Sequence, residues 1–194
     1  MPFDYPDGAT PLDRDEAEGL RLTHITTREQ LNIFEAENIR AGALWAWRSR
    51  QRDMLDELFI RRLHRQMFGK VWRWAGEFRT TDKNIGVPKE TIGIELHKLC
   101  DDVKYWIEQR SFEADEIAVR FHHRLVYIHP FANGNGRHAR MMSDLILEKR
   151  LHRPRFSWGG MVLEQQGETR SQYIRALHEA DAGDLTRLLS FVRT

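Results

Sequence analysis

The chain of 194 residues carries 30 basic and 29 acidic side chains, a formal net charge of +1, and 41% hydrophobic residues. This near-neutral balance argues against a dedicated nucleic-acid or membrane-surface protein, and the length fits one domain with a sizeable core. The chain begins without the apolar stretch of a conventional signal peptide, contains no apolar run long enough to cross a membrane, and has Cys100 as its single cysteine. We therefore expect a cytoplasmic protein without an internal disulfide.

The hydrophobic pattern predicts an all-α domain over residues 26–194, preceded by an N-terminal arm over residues 1–25. The arm contains an acidic run at 13–18 that fits either one helical turn or a solvated segment. Thr27 and Gln30 have the spacing of a capping box, and a long helix follows through about residue 48. Apolar residues at helical spacing predict further helices at 53–68, 90–109, 116–128, 137–151, 169–182 and 184–193.

One segment interrupts this helical pattern. Residues 78–88 lack helical periodicity and contain short apolar and threonine-rich stretches. Such a segment suits a short β-hairpin.

The residues that follow the 116–128 helix predict the functional site. His129 precedes a proline, which disfavours helical geometry, and its imidazole can act as a general base near neutral pH. The glycine-rich turn at 133–136 can aim consecutive backbone N–H groups at one anion. Arg137 and Arg140 share the first turn of the next helix, where guanidinium groups and the helix dipole both favour phosphate.

This stretch resembles the active-site motif of the Fic family, H-x-F-x-[D/E]-G-N-G-R-x-x-R. The pattern is matched at His129, Phe131, Gly134, Asn135, Gly136, Arg137 and Arg140. The resemblance extends over roughly residues 26–192. Asn133 departs from the pattern, because the family usually has an acidic residue there. Together with residues 7–12, this asparagine resembles the branch called mobile mystery protein B.

The resemblance implies an adenylyltransferase, which moves AMP from ATP to a hydroxyl side chain of a target protein and releases pyrophosphate. His129 would deprotonate the hydroxyl, and Phe131 would anchor the loop in the core. The anion nest would be formed by Gly134, Asn135 and Gly136, the phosphates would be held by Arg137 and Arg140, and Mg²⁺ would be held in part by Asn133. Residues 78–88 would be the flap that docks the target segment, through Thr80, Thr81, Ile85, Gly86 and Val87.

Asn133 leaves two alternatives open, because an amide keeps an oxygen ligand for Mg²⁺ but loses the negative charge. The same fold could transfer a different group, such as a phosphoryl group or another nucleotide. It could also be a nucleotide-binding module with weak or absent turnover.

Regulation is suggested by the family's inhibitory glutamate, which contacts the second motif arginine, here Arg140. The full inhibitory pattern is absent, and half-matches occur at Glu18 and Glu37. Glu18 is the favoured candidate because the arm could fold over the site, although a charged arm could equally cap the fold. A small helix-turn-helix protein, as in a toxin–antitoxin pair, is the alternative inhibitor, and a homo-oligomer is a further candidate assembly.

Overall fold

The computed structural model describes residues 12–22, 24–25, 27–51, 53–160, 163 and 167–194. Within these ranges the fold is helical, as predicted, and none of the helices combines the length and apolar character needed to span a bilayer. The elements are α1 (Arg14–Ala17), α2 (Arg28–Arg48), α3 (Glu57–Phe68), α4 (Ile92–Gln109), α5 (Ala114–Ile128), α6 (Asn135–Lys149), α7 (Glu168–Asp181) and α8 (Thr186–Phe191), with 3₁₀ turns at Lys89–Thr91 and Trp158–Gly160. Residues 1–11, which include most of the branch-like segment, lie outside the described residues.

Helix α2 begins where the capping box predicts. The Thr27 hydroxyl accepts from the Gln30 N–H at 3.2 Å, and the Gln30 side chain accepts from the Thr27 N–H at 3.3 Å. At the other end the Lys149 ammonium, from the last turn of α6, donates to the carbonyls of Ala46 and Ser49 at 2.8 and 2.9 Å. These bonds add a charged donor to carbonyls at the end of the helix, where regular intrahelical pairing stops.

The middle of α2 is fixed to α3 by one buried amide. Asn38 donates through Nδ2 to the Gln66 carbonyl at 2.8 Å and accepts through Oδ1 from the Lys70 N–H at 2.9 Å. Helix α3 itself begins at Glu57, later than predicted from apolar spacing. The reason is local capping, because the Asp53 and Asp56 side chains accept from the N–H groups of Leu55 and Leu58 and hold the chain in turns before the helix starts.

Helices α5 and α6 pack against each other, and the main core surrounds them. This core includes the fully buried side chains Phe59, Leu63, Phe121 and Phe131. A second buried cluster lies beneath α7 and α8 and includes Phe156, Trp158 and Tyr173. The junction between α5 and α6 therefore lies at the centre of the described fold, where neighbours on several sides restrict its conformation.

Residues 78–88 form an irregular loop, so the predicted β-hairpin is wrong. We keep the name flap for this loop. The side chain of Arg79 is fully buried at its centre and donates to the carbonyls of Thr81 at 2.9 Å and of Val87. The Asp82 carboxylate also accepts from it, at 3.3 Å. A guanidinium with five donors thus takes up carbonyls that a two-stranded ladder would pair with backbone N–H groups.

The described part of the arm runs beside residues 71–74. The N–H of Arg21 donates to the Val71 carbonyl at 2.8 Å, the N–H of Arg73 donates to the Gly19 carbonyl at 2.9 Å, and Leu20 forms an isolated antiparallel bridge with Trp72. The acidic run forms the single turn α1, one of the two predicted alternatives. The arm therefore folds back onto the segment that leads into the flap.

Candidate functional site

His129 lies directly after the last residue of α5 in the left-handed region, with φ 53° and ψ 59°. A non-glycine residue in this region carries a conformational cost, so neighbouring contacts must hold it there. The Arg79 Nε–H donates to the His129 carbonyl at 2.7 Å, and the His129 N–H donates to the Leu125 carbonyl at 3.2 Å. The flap arginine and the end of α5 together fix the backbone of the candidate base.

The imidazole of His129 is held in one tautomer and stays neutral. Its Nδ1 lies 3.3 Å from the Val126 carbonyl, which can only accept, so Nδ1 carries the proton and Nε2 carries the lone pair. Burial, with smaller contributions from the nearby charges of Arg79 and Lys83, lowers the pKa of His129 to about 4. At neutral pH the ring is therefore in the form that a general base needs.

The turn after His129 is closed by Asn135. Its Oδ1 accepts from the Phe131 N–H at 3.0 Å, and its Nδ2 donates to the Phe131 carbonyl at 2.8 Å. Gly134 has φ 80°, and a Cβ at this position would lie 2.6 Å from the Phe68 ring. The Asn135 side chain thus holds the turn in shape, and a contribution of this residue to an anion nest would come from its backbone.

The backbone of the turn presents N–H groups at the start of α6. The first helical hydrogen bond runs from the His138 N–H to the Gly134 carbonyl at 2.9 Å. The N–H groups of Asn135, Gly136 and Arg137 precede that bond and point out of the helix end. Together with the dipole of a 15-residue helix, they form the kind of site that binds phosphate oxygens.

Arg137 forms a largely buried ion pair with Glu35 of α2. Its Nη1 donates to Glu35 Oε2 at 2.6 Å, and Glu35 Oε1 accepts from the Trp72 indole at 2.6 Å. The Arg137 Nη2 donates to Asn133 Oδ1 at 3.2 Å, and the guanidinium lies 4.9 Å from the Phe68 ring centroid. The first motif arginine therefore links α2, α3 and the turn.

Arg140 lies one turn further along α6, towards α7. Its guanidinium carbon is 5.8 Å from the ring centroid of Tyr173, whose hydroxyl lies 2.9 Å from His122 Nε2. Burial lowers the pKa of His122 to about 3, and the charge of Arg140 contributes to this shift. Arg137 thus contacts the Glu35 carboxylate, whereas the charge of Arg140 acts on His122 and on the carboxyl group of Asp144.

Asn133 offers a poor Mg²⁺ site. Its Oδ1 is a neutral ligand that already accepts from the positively charged Arg137. In the described ranges, no group of three or more His, Cys, Asp and Glu side chains could hold a metal ion. Because Mg²⁺ prefers carboxylates together with phosphate oxygens, these residues do not by themselves fit the ion, and we derive no step through it.

His64 of α3 packs against the turn and forms a hydrogen bond with its backbone. Its Nδ1 accepts from the Gly76 N–H at 3.0 Å, and its Nε2 lies 3.0 Å from the Asn133 carbonyl, to which it donates. Its ring stacks on Phe131 at 3.7 Å between centroids. Burial lowers the pKa of His64 well below its usual value, so the ring stays neutral and ties the turn to the segment before the flap.

The flap approaches His129 through its backbone. Gly86 has φ 108°, and a Cβ placed on it would lie 2.8 Å from His129 Cβ. The Val87 N–H donates to the Ile128 carbonyl at 3.4 Å, whereas Thr80 and Ile85 are exposed. The flap therefore lies directly beside the candidate base.

Glu18 lies away from the motif arginines. Its side chain is 67% exposed and 3.5 Å from Arg14 in the same turn. Glu37 is exposed on α2. A different carboxylate, that of Glu35, contacts a motif arginine, and that arginine is Arg137. This geometry does not support the predicted pairing of Glu18 with Arg140.

Sequence reasoning missed three residues that shape this site, namely Glu35, His64 and Arg79. The sequence did contain a signal for Glu35, because this residue has the helical spacing that places it with the buried Leu31 and Asn38 on the inner face of α2. Charged residues are rarely buried unless they are paired, so a glutamate on an inner face predicts a buried cation nearby.

Comparison with known proteins is consistent with this geometry. Residues 54–147 match the model of the Fic/DOC family. The chain is 33% identical over 140 residues to a protein adenylyltransferase fic-1 of Caenorhabditis briggsae, and 31% identical over 152 residues to the corresponding protein of Caenorhabditis elegans. These matches cover 69% and 74% of this chain but only 25% and 28% of the relatives, so the chain spans about a quarter of their length.

The fold matches solved structures over most of the chain. A Fic-1 structure from C. elegans has a TM-score of 0.66 at 27% identity and is matched over 91% of this chain and 51% of that one. A Fic domain from Bartonella quintana with bound ADP has a TM-score of 0.67 at 18% identity, over 92% of this chain and 94% of that one. The chain belongs to the Fic/DOC family. In this member, the family motif lies at the α5–α6 junction with Asn133 in the acidic position.

Proposed function

We propose that this Fic/DOC chain is a protein adenylyltransferase that transfers AMP from ATP to a hydroxyl side chain of a target protein. One observation carries the proposal: a neutral, backbone-anchored His129 leads into a turn that ends at the N-terminus of a helix bearing Arg137 and Arg140. The names of the curated relatives, which are protein adenylyltransferases, support the same reaction.

The proposed reaction uses His129 as the base. The Nε2 lone pair takes the proton of the target hydroxyl, and the hydroxyl oxygen attacks the α-phosphorus of ATP. The bond from that phosphorus to the bridging oxygen of the β-phosphate breaks, and pyrophosphate leaves with the electron pair. The products are an AMP phosphodiester on the target and a protonated His129, whose low pKa favours return of the proton to solvent.

The start of α6 would bind the phosphates. The N–H groups at the helix end and the Arg140 guanidinium supply fixed positive potential where the leaving pyrophosphate gains charge. Arg137 can add to this only by exchanging the Glu35 carboxylate for a phosphate oxygen. The ADP bound to the Bartonella quintana domain supports nucleotide as the ligand class of this fold.

The proposal extends to the setting of the reaction. We include a Mg²⁺ requirement, a cytoplasmic protein target and a small helix-turn-helix partner of the antitoxin type, all of which derive from the sequence resemblance. We also retain the division into an arm over residues 1–25 and a catalytic domain over residues 26–194.

The test is labelling from ATP that carries the label at either the α- or the γ-phosphate. The purified chain is incubated with Mg²⁺, ATP and a cell lysate, beside His129→Ala and the control His123→Ala. His123 lies on the same helix but contacts Asp181 at 2.8 Å, so its loss should leave labelling unchanged.

Protein labelling from the α-label alone, lost in His129→Ala and kept in His123→Ala, is the expected result. Labelling from the γ-label alone would replace the proposal with phosphoryl transfer. No labelling in the parent chain together with strong labelling in Asn133→Asp would favour the nucleotide-binding alternative, in which Asn133 abolishes turnover.

A further inference from the structure

The flap contains a lysine that is almost completely buried. Only 4% of the Lys83 side chain is exposed, and its ammonium lies 2.7 Å from Asp13 Oδ2 and 2.6 Å from Glu16 Oε2. The Thr81 hydroxyl donates to the same Asp13 oxygen at 2.6 Å. Two flap donors therefore converge on two carboxylates of the arm. An ammonium this deeply buried is costly unless a carboxylate pairs with it.

This cluster lies close to the candidate base. The flap residue Gly86 packs its backbone against His129 Cβ, and the charge of Lys83 contributes to the lowered pKa of the His129 imidazole. A target segment that brings its hydroxyl to His129 must pass beside the flap. It would then meet the arm residues that cover Lys83 and Thr81.

Helix α1 is held here by polar contacts, and Leu12 before it packs against the main core. The helix has no buried residue, and among the described residues the Trp74 indole also donates to the Glu16 carbonyl at 2.9 Å. Glu16 Oε1 is buried and has no hydrogen-bond partner among the described residues, which makes the docked arm less stable than a fully paired one. Residues 19–21 are paired separately to residues 71–73, so displacement of Asp13 and Glu16 from Lys83 would leave that backbone pairing in place.

We propose that Lys83 and Thr81 form a docking site for an acidic side chain of the target segment, and that Asp13 and Glu16 occupy this site in the resting chain. The inference rests on the proposed function and narrows its substrate class. The modified hydroxyl lies in a segment with a neighbouring Asp or Glu. A segment without a carboxylate would displace the arm and leave Lys83 buried and unpaired, at a free-energy cost that disfavours its binding.

A binding experiment tests the docking site without requiring catalysis. The double variant Asp13→Asn/Glu16→Gln, made in the 194-residue chain, weakens the arm contact. The probe is a fluorescent peptide with the sequence of residues 12–18. A second peptide carries Asn and Gln in place of the two acids. Arg14→Gln is the matched control, because it removes the exposed pair with Glu18 and leaves Lys83 untouched.

The acidic peptide should bind the released variant at least about tenfold more tightly than the amide peptide, a difference of ~1.4 kcal/mol. Lys83→Gln, added to the Asp13→Asn/Glu16→Gln variant, should abolish this preference. Lys83→Glu in the same background should instead favour a peptide that carries lysine in place of Asp13 and Glu16. If Lys83→Gln fails to fold, Thr81→Val replaces it in the experiment. This change keeps the volume of the side chain but removes the hydroxyl donor, so it should reduce the preference for the acidic peptide. A preference that persists without Lys83, or that never exists in the released variant, would overturn the inference.

A labelling experiment separates the two proposals. With α-labelled ATP, the released variant should modify a Ser-Asp peptide faster than the parent chain does, and faster than it modifies a Ser-Asn peptide. If the binding preference is observed and no variant labels any protein or peptide, the docking site stands and adenylyl transfer fails. If labelling occurs without any acidic preference, adenylyl transfer stands and the docking site fails.

Discussion

The Glu35 carboxylate and the Arg137 guanidinium meet at 2.6 Å across 102 residues of sequence, with 5% and 18% of their side chains exposed. The pair joins the long helix α2 to the first turn of α6. The second oxygen of Glu35 is fixed by the Trp72 indole, so the carboxylate is held on both sides. A group that would bind phosphate is thus already neutralised within the protein.

Glu35→Gln should raise the affinity for ATP. The amide keeps an oxygen for the Trp72 indole but no longer neutralises Arg137, so a phosphate oxygen can replace it. We expect the dissociation constant for ATP, measured by calorimetry, to fall about tenfold, because a hydrogen bond to a charged group contributes about 1.5 kcal/mol or more. The free energy of unfolding should fall by about 2 kcal/mol, since a partly buried arginine loses its counter-ion.

Glu37→Gln is the control for that change, because Glu37 lies on the exposed side of the same helix. It should alter neither ATP affinity nor stability. Equal ATP affinity in the parent chain and in Glu35→Gln would show that Arg137 is purely structural.

The pH dependence of labelling should reveal the buried state of His129. Burial lowers its pKa to about 4, so the basic form predominates above that value and is lost only as the pH falls through about 4. We expect kcat/KM per folded molecule to stay flat from neutral pH down to about pH 5, since this ratio reports the ionisation of the free enzyme. Circular dichroism at each pH distinguishes this titration from unfolding. An acidic limb near pH 6.5 would mean that the base is solvated.

Arg79→Lys should lower the rate of transfer without weakening nucleotide binding. A lysine ammonium cannot reproduce the fork that contacts His129, Thr81 and Val87, so the base loses its backbone anchor. A fall in kcat of about tenfold to a hundredfold is expected, as is typical when a catalytic group is misplaced by about 1 Å. The dissociation constant for ATP should be unchanged, because Arg79 does not contact the phosphate turn.

Arg73→Lys provides the comparison, since Arg73 is exposed and its backbone N–H, which the substitution keeps, donates to the Gly19 carbonyl. Its kcat should match that of the parent chain. A loss of ATP binding in Arg79→Lys equal to its loss of kcat would indicate general damage to the site.

Asn133→Asp should increase activity. A carboxylate at this position adds the ligand that Mg²⁺ prefers and strengthens the contact with Arg137. We expect the labelling rate to rise by about tenfold and the Mg²⁺ concentration for half-maximal rate to fall, on the scale of one additional charge-assisted bond. Asn133→Ala, which removes the oxygen, should be slower than the parent chain. Equal rates for the Asp and Ala variants would exclude a role for this side chain.

Mild acid should unfold the protein, because four buried histidines must remain neutral in the folded state. Burial lowers the pKa of His122, His129 and His138 to about 3, 4 and 3, and that of His64 well below its usual value. Lowered histidine pKa values mean that the unfolded chain binds more protons, so stability is complete above about pH 6.5 and is lost as the pH falls towards 4.

Asp144 has the opposite effect on the pH dependence of stability. Burial raises its pKa to about 6, so on acidification the folded chain takes up this proton at a higher pH than the unfolded chain does. The net uptake on unfolding near pH 5 is about three protons, so the free energy of unfolding should fall by up to roughly 4 kcal/mol per pH unit. Urea titrations at pH 5 and pH 7 measure this slope. A slope near zero would show that water reaches these rings.

Much of this architecture could be predicted from local sequence. The capping box at Thr27, the end of α5 before Pro130 and the turn before α6 depend on residues close in sequence, so their signals are readable. The motif residues around His129 could be placed for the same reason.

The contacts that decide how the site works were not predictable, because they join distant segments. Arg79 replaces the expected hairpin by taking up carbonyls from its own loop and from His129, and no periodicity marks such an arginine. The Lys83 ammonium pairs with two carboxylates of the arm that lie about 70 residues away in sequence. A one-dimensional pattern records that these residues are charged and gives no information on which of them meet.

Helix α2 is fastened at two places besides the Glu35 pair, by the Asn38 amide to α3 and by the Lys149 ammonium to its last carbonyls. A rigid-body swing of the helix would have to break all of these bonds together. Separation of Glu35 from Arg137 is therefore expected to occur by rotation of side chains about their own bonds. Such a motion takes nanoseconds or less for exposed groups and longer for packed ones, and the surrounding backbone stays in place.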